Sequence, residues 1–517
     1  LRALGASGQS ARIARPIPEF APVTTARDDR IVHNNRMDPS PLGAPENPRF
    51  LAAEREVELH STELRKELSL PNLVFTQVLA ILGLAWIGTA GKLGSSHLVF
   101  WLTAILLFYL PSAAVVIHLN NEMPLEGGLY QWTRLRFNDM AGFMVAWNIL
   151  LYNVIFMSEM GLLAMNNVAY AMGPSGAWLA DSKPLLAAAG LLITSGLFVT
   201  ARAGLAIGKW VHGFAGFMIL ALFAAMALFA LPHWLGGKVA HPPLSLAIPA
   251  FTLLNLNLLG KMGFGAMGGF EAVAVFAGEC RGKDTAAVIR RSVLIATPLI
   301  AGAFILGTAC VLVFTRPDDI DLISPITQVL NRGIQAAGIS GSASSLTGVL
   351  IVLTLVGQAL LSFNYSARLP LVAGWDHLLP PFFTRLHPRY KTPVGSIAFI
   401  AAMTLALAIL TSMGTGNQEA FQLLQNGSGI CYGLAYLALF AIPLAAAGEK
   451  PSWALRAAAA SGFAMTLLNV VLSVFPIIDV PNPWRFTMKI GGVVLGLNVA
   501  GALLFRRGDA RRKRSVR

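Results

Sequence analysis

Charge is what this 517-residue sequence has least of: 13% of its residues are Asp, Glu, Lys or Arg, where soluble domains average about 25%. With 55% hydrophobic residues and a mean hydropathy of +0.62, a soluble globular domain is excluded, and the chain reads as one that crosses a membrane many times. Cysteine is nearly missing too. Cys280, Cys310 and Cys431 lie far apart and form no metal-ligand spacing, so they are read as free thiols packed like small apolar residues. No His/Cys/Asp/Glu cluster suggests a metal. No paired acids or His/Cys group among the apolar runs suggest an intramembrane enzyme, and no cofactor is called for. Acidic residues are too few to balance 39 Lys and Arg, which leaves a net charge of +13. That excess sits in short loops and tails between apolar runs, the topogenic pattern of membrane proteins, and argues against a nucleic-acid partner.

What is present is a succession of apolar segments of spanning length. Twelve are expected, beginning with Leu73–Leu93 and Val99–Leu119 and ending with Ile490–Phe505. Ala141–Met172 is interrupted only by Glu159; Leu253–Ala277, Leu346–Ala373 and Phe421–Ala446 are the sixth, eighth and tenth. The Lys/Arg bias of the loops places both termini in the cytoplasm. Residues 1–67, rich in Arg and Pro with no apolar core, are expected to be a disordered tail without a secretory signal, leading into a short interfacial helix around Glu56 to Leu68. Thr315 to Ser345 reads as an external loop with some helix; its Asp318, Asp319 and Asp321 read as solvated surface rather than an ion site.

Two of the spans are poor helices. Leu79 to Gly94 holds Gly83, Gly88, Gly91, Gly94 and the charged Lys92, and Gly260 to Gly278 is comparably rich in glycine. Glycine loses the most freedom on ordering, so both segments should break. Broken backbone is tolerated in a membrane only where protein buries it or a cavity wets it. The breaks fall five spans apart, and an odd count inverts the second five-span unit relative to the first. Paired broken helices in inverted repeats mark the midplane substrate site of a secondary transporter. Exposed N–H groups at the half-helix ends can hold a carboxylate, and freed carbonyls can hold an ammonium or a coupling cation. The plainer reading is that these glycines only let helices pack closely.

Three strings then resemble the amino acid–polyamine–organocation (APC) superfamily. Pro124, Gly127, Gly128, Tyr130 and Trp132 match its Pro-x-x-Gly-Gly-x-Tyr-x-Trp string after the second span. Gly269, Phe270, Glu271 and Glu279 match its sixth-span pattern, and Ser366, Arg368, Asp376, Leu379, Pro380, Tyr390, Thr392 and Pro393 match the run after its eighth. The resemblance covers about Leu68 to Phe505. It implies an all-α membrane protein of 12 transmembrane helices, with a leucine-transporter-type 5+5 inverted repeat plus two C-terminal helices. Residues 68–447 would form the core, in repeats of about 70–231 and 250–447; residues 448–505 would be two accessory helices and 506–517 a basic, unfolded cytoplasmic tail.

Carried over by motif, the first-span substrate contacts would be Trp86, Gly88, Thr89, Ala90 and Gly91, though the family's Gly-Ser-Gly here reads Gly88-Thr89-Ala90-Gly91, which can shift the cradle by one residue. In the sixth span they would be Gly265, Met267, Gly268 and Glu271. Glu271 and Glu159 are carboxylates inside the membrane and so candidates for proton coupling or gating. Glu271 can equally be a permanently satisfied cap of the broken helix. Glu159 can pair with Lys92 or Lys261, contact a cationic substrate or face a polar seam. Asn153, Ser362 on the eighth span, and Asn426, Ser428 and Tyr432 on the tenth supply further polar candidates. The function expected is secondary active transport of an amino acid or related amine across the cytoplasmic (inner) membrane, proton-coupled, with no enzymatic activity. The partners expected are that small molecule and the surrounding lipid. The alternatives are an amino acid–amine exchanger of the glutamate–aminobutyrate kind and a transporter-like sensor.

Overall fold

The computed structural model describes residues 55, 59–60 and 64–515, apart from 282–283, 340, 412–416, 446–450, 478–479 and 481. The expected N-terminal tail therefore lies almost wholly outside the described residues. At its end, residues 55 and 59–60 are helical, whereas 64–68 are not, and Leu68 instead forms an isolated parallel bridge with Cys280.

Helices are the only regular elements among the described residues, and nine stretches there are long and apolar enough to cross a membrane. Three of the expected spans lie outside that set: two are broken, and the third is the 18-residue apolar helix Val394–Thr411. The first span begins as α1 (Leu70–Ile81), where the backbone N–H and hydroxyl of Ser69 both reach Asn72 Oδ1 and Pro71 sits in the first turn. It stops at Leu82, whose ψ of 77° is not helical, and resumes as the six-residue α2 (Trp86–Gly91). Gly83 permits this, because a Cβ there would stand 2.5 Å from the Trp86 ring. Gly88 and Gly91 serve packing instead: their faces lie against Pro325 and Ile320.

The second stretch is α3 (Gly94–Glu122), which carries a π turn at Ile105–Tyr109. A short α4 (Leu129–Arg136) leads to α5 (Asp139–Ser158) and α6 (Met160–Met172), joined at Glu159. Then come α7 (Lys183–Arg202) and the long α8 (Leu205–Leu235). The sixth span starts as α9 (Leu253–Gly260), capped by Thr252 Oγ1 on the Asn255 amide. It loosens into a π turn at Lys261–Gly265, breaks at Gly268–Gly269 and ends as a tight turn of helix over Phe270–Glu279. Gly269 has φ of +138°, a conformation open to glycine and strained for other residues.

The remaining helices are α10 (Thr285–Phe314), α11 (Pro325–Ala336), α12 (Gly341–Trp375), α13 (Val394–Thr411), α14 (Asn417–Leu444), α15 (Trp453–Leu472) and α16 (Pro483–Ser515). Residues 506–515, expected to be unfolded, continue α16. Arg512 pairs with Asp139 at 2.7 Å and with Asp509 at 2.8 Å, and Gly508 lies against the Leu378 carbonyl. Packing is dense around the breaks: α1 lies against α8, α10 and α12, while α14 lies against α5 and α15. All three cysteines are buried and free.

The three motif strings meet at one end of the bundle. Gly128, with φ of +45°, lies against the Ala274 and Val275 backbone. Glu126 Oε2 accepts from the Gly278 amide at 2.6 Å, Glu279 binds Arg368, and Asp376 takes both Arg134, at 2.6 Å, and the Tyr130 hydroxyl.

Candidate functional site: a cavity where the two broken spans meet

The two interruptions face each other. A Cβ on Gly269 would lie 2.8 Å from Ile81, and one on Gly265 would lie 2.7 Å from the Trp86 ring. Gln77 Nε2 donates to the Phe270 carbonyl at 3.2 Å, so α1 also holds the start of the final turn of the sixth span. Around this meeting point lies a cavity of about 120 Å³. Its floor comes from the breaks: Ala80, Ile81, Gly83, Leu84, Ala85 and Trp86 of the first span, and Phe264, Gly265, Gly268 and Gly269 of the sixth. Its walls are Tyr152, Asn153, Phe156 and Glu159 from α5 and its junction, Gln358, Ser362 and Tyr365 from α12, and Gln425, Ser428 and Tyr432 from α14. Ser324 and the first turn of α11, Pro325 to Thr327, complete the lining.

The structure brings together Trp86, Asn153, Glu159, Gly265, Gly268 and Ser362 of the residues expected to form the site, along with Ser428 and Tyr432. Gly88, Thr89, Ala90 and Gly91 are buried within α2, past the break, and do not line the cavity. The break that opens the first span lies at residues 82–85. Met267 is buried beside the break and turned away from the cavity. Asn426 is likewise outside it, because its Oδ1 accepts from the buried Lys261 ammonium.

Glu271 is fully buried behind the wall. Its carboxylate accepts from three hydroxyls: Tyr365 of α12 at 3.3 Å, and Tyr432 and Tyr436 of α14, both closer. The Tyr436 oxygen in turn accepts from the Gly269 amide at 2.7 Å. A buried carboxylate with this many donors is well satisfied, and the donors tie the sixth span to two other helices. Tyr152 stacks on Tyr432 with ring centroids 4.1 Å apart, which fixes one of these donors against α5.

The first break exposes carbonyls, and one side chain takes two of them. Gln358 Nε2 donates to the Leu79 oxygen at 3.0 Å and to the Leu82 oxygen at 3.2 Å. Sequence reasoning missed Gln358, together with Tyr365, Gln425 and Tyr152. The signal for Gln358 was there, since an amide within the apolar run Leu346–Ala373 needs a buried partner.

Comparison with known proteins agrees with this geometry. Residues 68–495 match the amino acid permease family. An uncharacterised transporter of Legionella pneumophila is 24% identical over 75% of this chain and 82% of its own length. Human cationic amino acid transporter 4 is 23% identical over 60% of this chain and 48% of its own. A Lactococcus lactis protein named a probable agmatine/putrescine antiporter is 20% identical over 71% of this chain and 78% of its own. The chain therefore belongs to the amino acid permease family of the APC superfamily: it is a multi-pass membrane transporter and not an enzyme.

Proposed function

We propose that this chain carries an amino acid or related amine across the cell (inner) membrane by alternating access, with both termini in the cytoplasm. The observation that carries the reading is the cavity at the meeting of two broken spans, where unwound backbone is the element best suited to a zwitterion. In this reading the nine long stretches, the two broken spans and Val394–Thr411 make twelve crossings. They form two inverted five-span units followed by α15 and α16. Trp86, Gly265 and Gly268 at the breaks, with Asn153 and Ser362 on the walls, contact the substrate.

Glu271 serves as the gating and proton-coupling carboxylate, because it joins the sixth span to α12 and α14 through hydroxyls that must part if those helices separate. Sodium has less support as the coupling ion, since the Leu79 and Leu82 carbonyls already bond Gln358. A second reading is exchange of one amine-bearing solute for another. The relative named an agmatine/putrescine antiporter favours it.

Purified protein in proteoliposomes tests both. Uptake of labelled amino acids or amines driven by an inward proton gradient is expected for symport. Counterflow without any ion gradient is expected for exchange. A chain that neither binds nor moves any member of an amino acid and amine panel overturns the substrate assignment.

A further inference from the structure

Of the described residues that line the cavity, Glu159 alone bears a formal charge. The junction of α5 and α6 puts it there. Its amide donates to the Phe156 carbonyl at 3.2 Å and its carbonyl accepts from the Leu163 amide at 3.0 Å, so the backbone is satisfied while the side chain is left to the cavity. The residue is only 4% exposed. No hydrogen bond or ion pair holds its carboxylate among the described residues, and neither lysine named for it by sequence fills that role. Lys261 bonds Asn426, and Lys92 bonds the Asp318 carbonyl at 3.3 Å. An ionised carboxylate buried without a partner costs several kcal/mol, a cost that a proton or an entering positive group removes. The same cavity is lined by the Phe156 ring and by Asn153 and Asn167, whose amide nitrogens are held by the Ile149 and Leu163 carbonyls, so that their oxygens are the ends that can face a positive group.

We propose that Glu159 is the specificity-determining residue of the cavity, pairing with a second positive charge carried at the far end of the substrate. The substrate class is then a cationic amino acid or a diamine. This rests on the transport reading above. The broken spans take the end common to all amino acids, and Glu159 takes the end that distinguishes the cationic ones. Discrimination arises because a neutral side chain leaves the carboxylate buried and unpaired.

The test compares solutes that differ only in the terminal ammonium: lysine against norleucine, and cadaverine against pentylamine. Binding is read from thermal shifts of detergent-solubilised protein and uptake from proteoliposomes. Wild type is expected to prefer the dicationic amine or the cationic amino acid by roughly tenfold or more, the worth of one desolvated charge pair. Glu159→Gln is expected to erase most of that preference while still binding norleucine. Glu159→Asp, which keeps the charge, is expected to retain part of it and controls for a Gln variant that fails to fold. Equal handling of lysine and norleucine by wild type overturns the role of Glu159 and leaves the transport reading standing. So does a Gln variant with its selectivity intact and only its pH profile altered, which would make Glu159 a proton site. A protein that binds none of the four solutes overturns the role of Glu159, and one that binds nothing in the wider amino acid and amine panel overturns the transport assignment as well.

Discussion

Arg368 holds Glu279 with two nitrogens, Nε on one carboxylate oxygen and Nη2 on the other, each at 2.9 Å. Both residues are buried, and the same guanidinium lies 5.0 Å from the Phe276 ring and donates through Nη1 to the Asn364 carbonyl. The pair closes one end of the bundle by fastening α12 to the end of the sixth span.

Removing one partner strands the other charge in a low-dielectric setting. Arg368→Met or Glu279→Gln alone should cost about 3–5 kcal/mol, whereas replacing both by apolar residues should recover much of that loss. Thermal unfolding of the two single variants and the double variant in detergent forms the cycle that measures it. Equal loss in the double variant would show that the pair contributes net stability rather than merely satisfying itself.

Glu126 sits beside this pair in the loop before α4, with Oε2 on the Gly278 amide and Oε1 buried without a partner among the described residues. Burial first, and then the charge of Glu279, push its carboxyl up to about 8, against the pull of Arg368 and the Gly278 amide. A group raised in this way favours the folded state while protonated. Its contribution is full below the ordinary carboxylate value of 4.5 and is lost as pH climbs through about 8. The unfolding midpoint should therefore fall across that window. Glu126→Gln, which keeps an acceptor for Gly278, should flatten the slope. An unaltered slope in the Gln variant would place the titration on another group.

Glu271→Gln replaces an acceptor of three hydroxyls by a group with one acceptor oxygen and a competing donor. The pH dependence of uptake should flatten in this variant. Tyr436→Phe removes one hydroxyl and leaves the Gly269 amide without its acceptor, at a cost of about 1–3 kcal/mol, so uptake should fall while its pH profile keeps its shape. An unchanged profile in Glu271→Gln would remove this residue as the proton site.

Replacing sodium by choline should leave wild-type uptake unchanged, because Gln358 occupies both carbonyls that an ion at the first break would use. Gln358→Ala uncovers them and should lower uptake in either salt. Sodium dependence of the wild type would show instead that the amide yields its place during the cycle.

Nine of the spans and the two interruptions were legible in the sequence because the exclusion of charge from apolar runs and the clustering of glycine are local properties. Which glycine breaks the first span was not. Gly83 makes room for a ring three residues on, while Gly88 and Gly91 make room for Pro325 and Ile320, more than two hundred residues away. The same holds for the site. Asn153, Ser362 and Glu159 could be suspected as polar groups in apolar runs, but Gln358 acquires its role from carbonyls on another helix. Residues 506–515 looked unfolded from their charge alone. Asp509 becomes a partner of Arg512 once α16 forms, since the two lie one turn apart, and Asp139 becomes one only once α16 packs beside α5.

The burial of Cys280, Cys310 and Cys431 has a practical consequence. A maleimide added from outside meets no accessible native thiol, so the natural sequence serves as its own unreactive background. Ser324→Cys would place a thiol in the lining of the cavity, where the native residue is 3% exposed. Its labelling would then report each opening of the cavity to the reagent, and a transported solute that slows or speeds the labelling would reveal which side of the membrane the cavity faces when loaded.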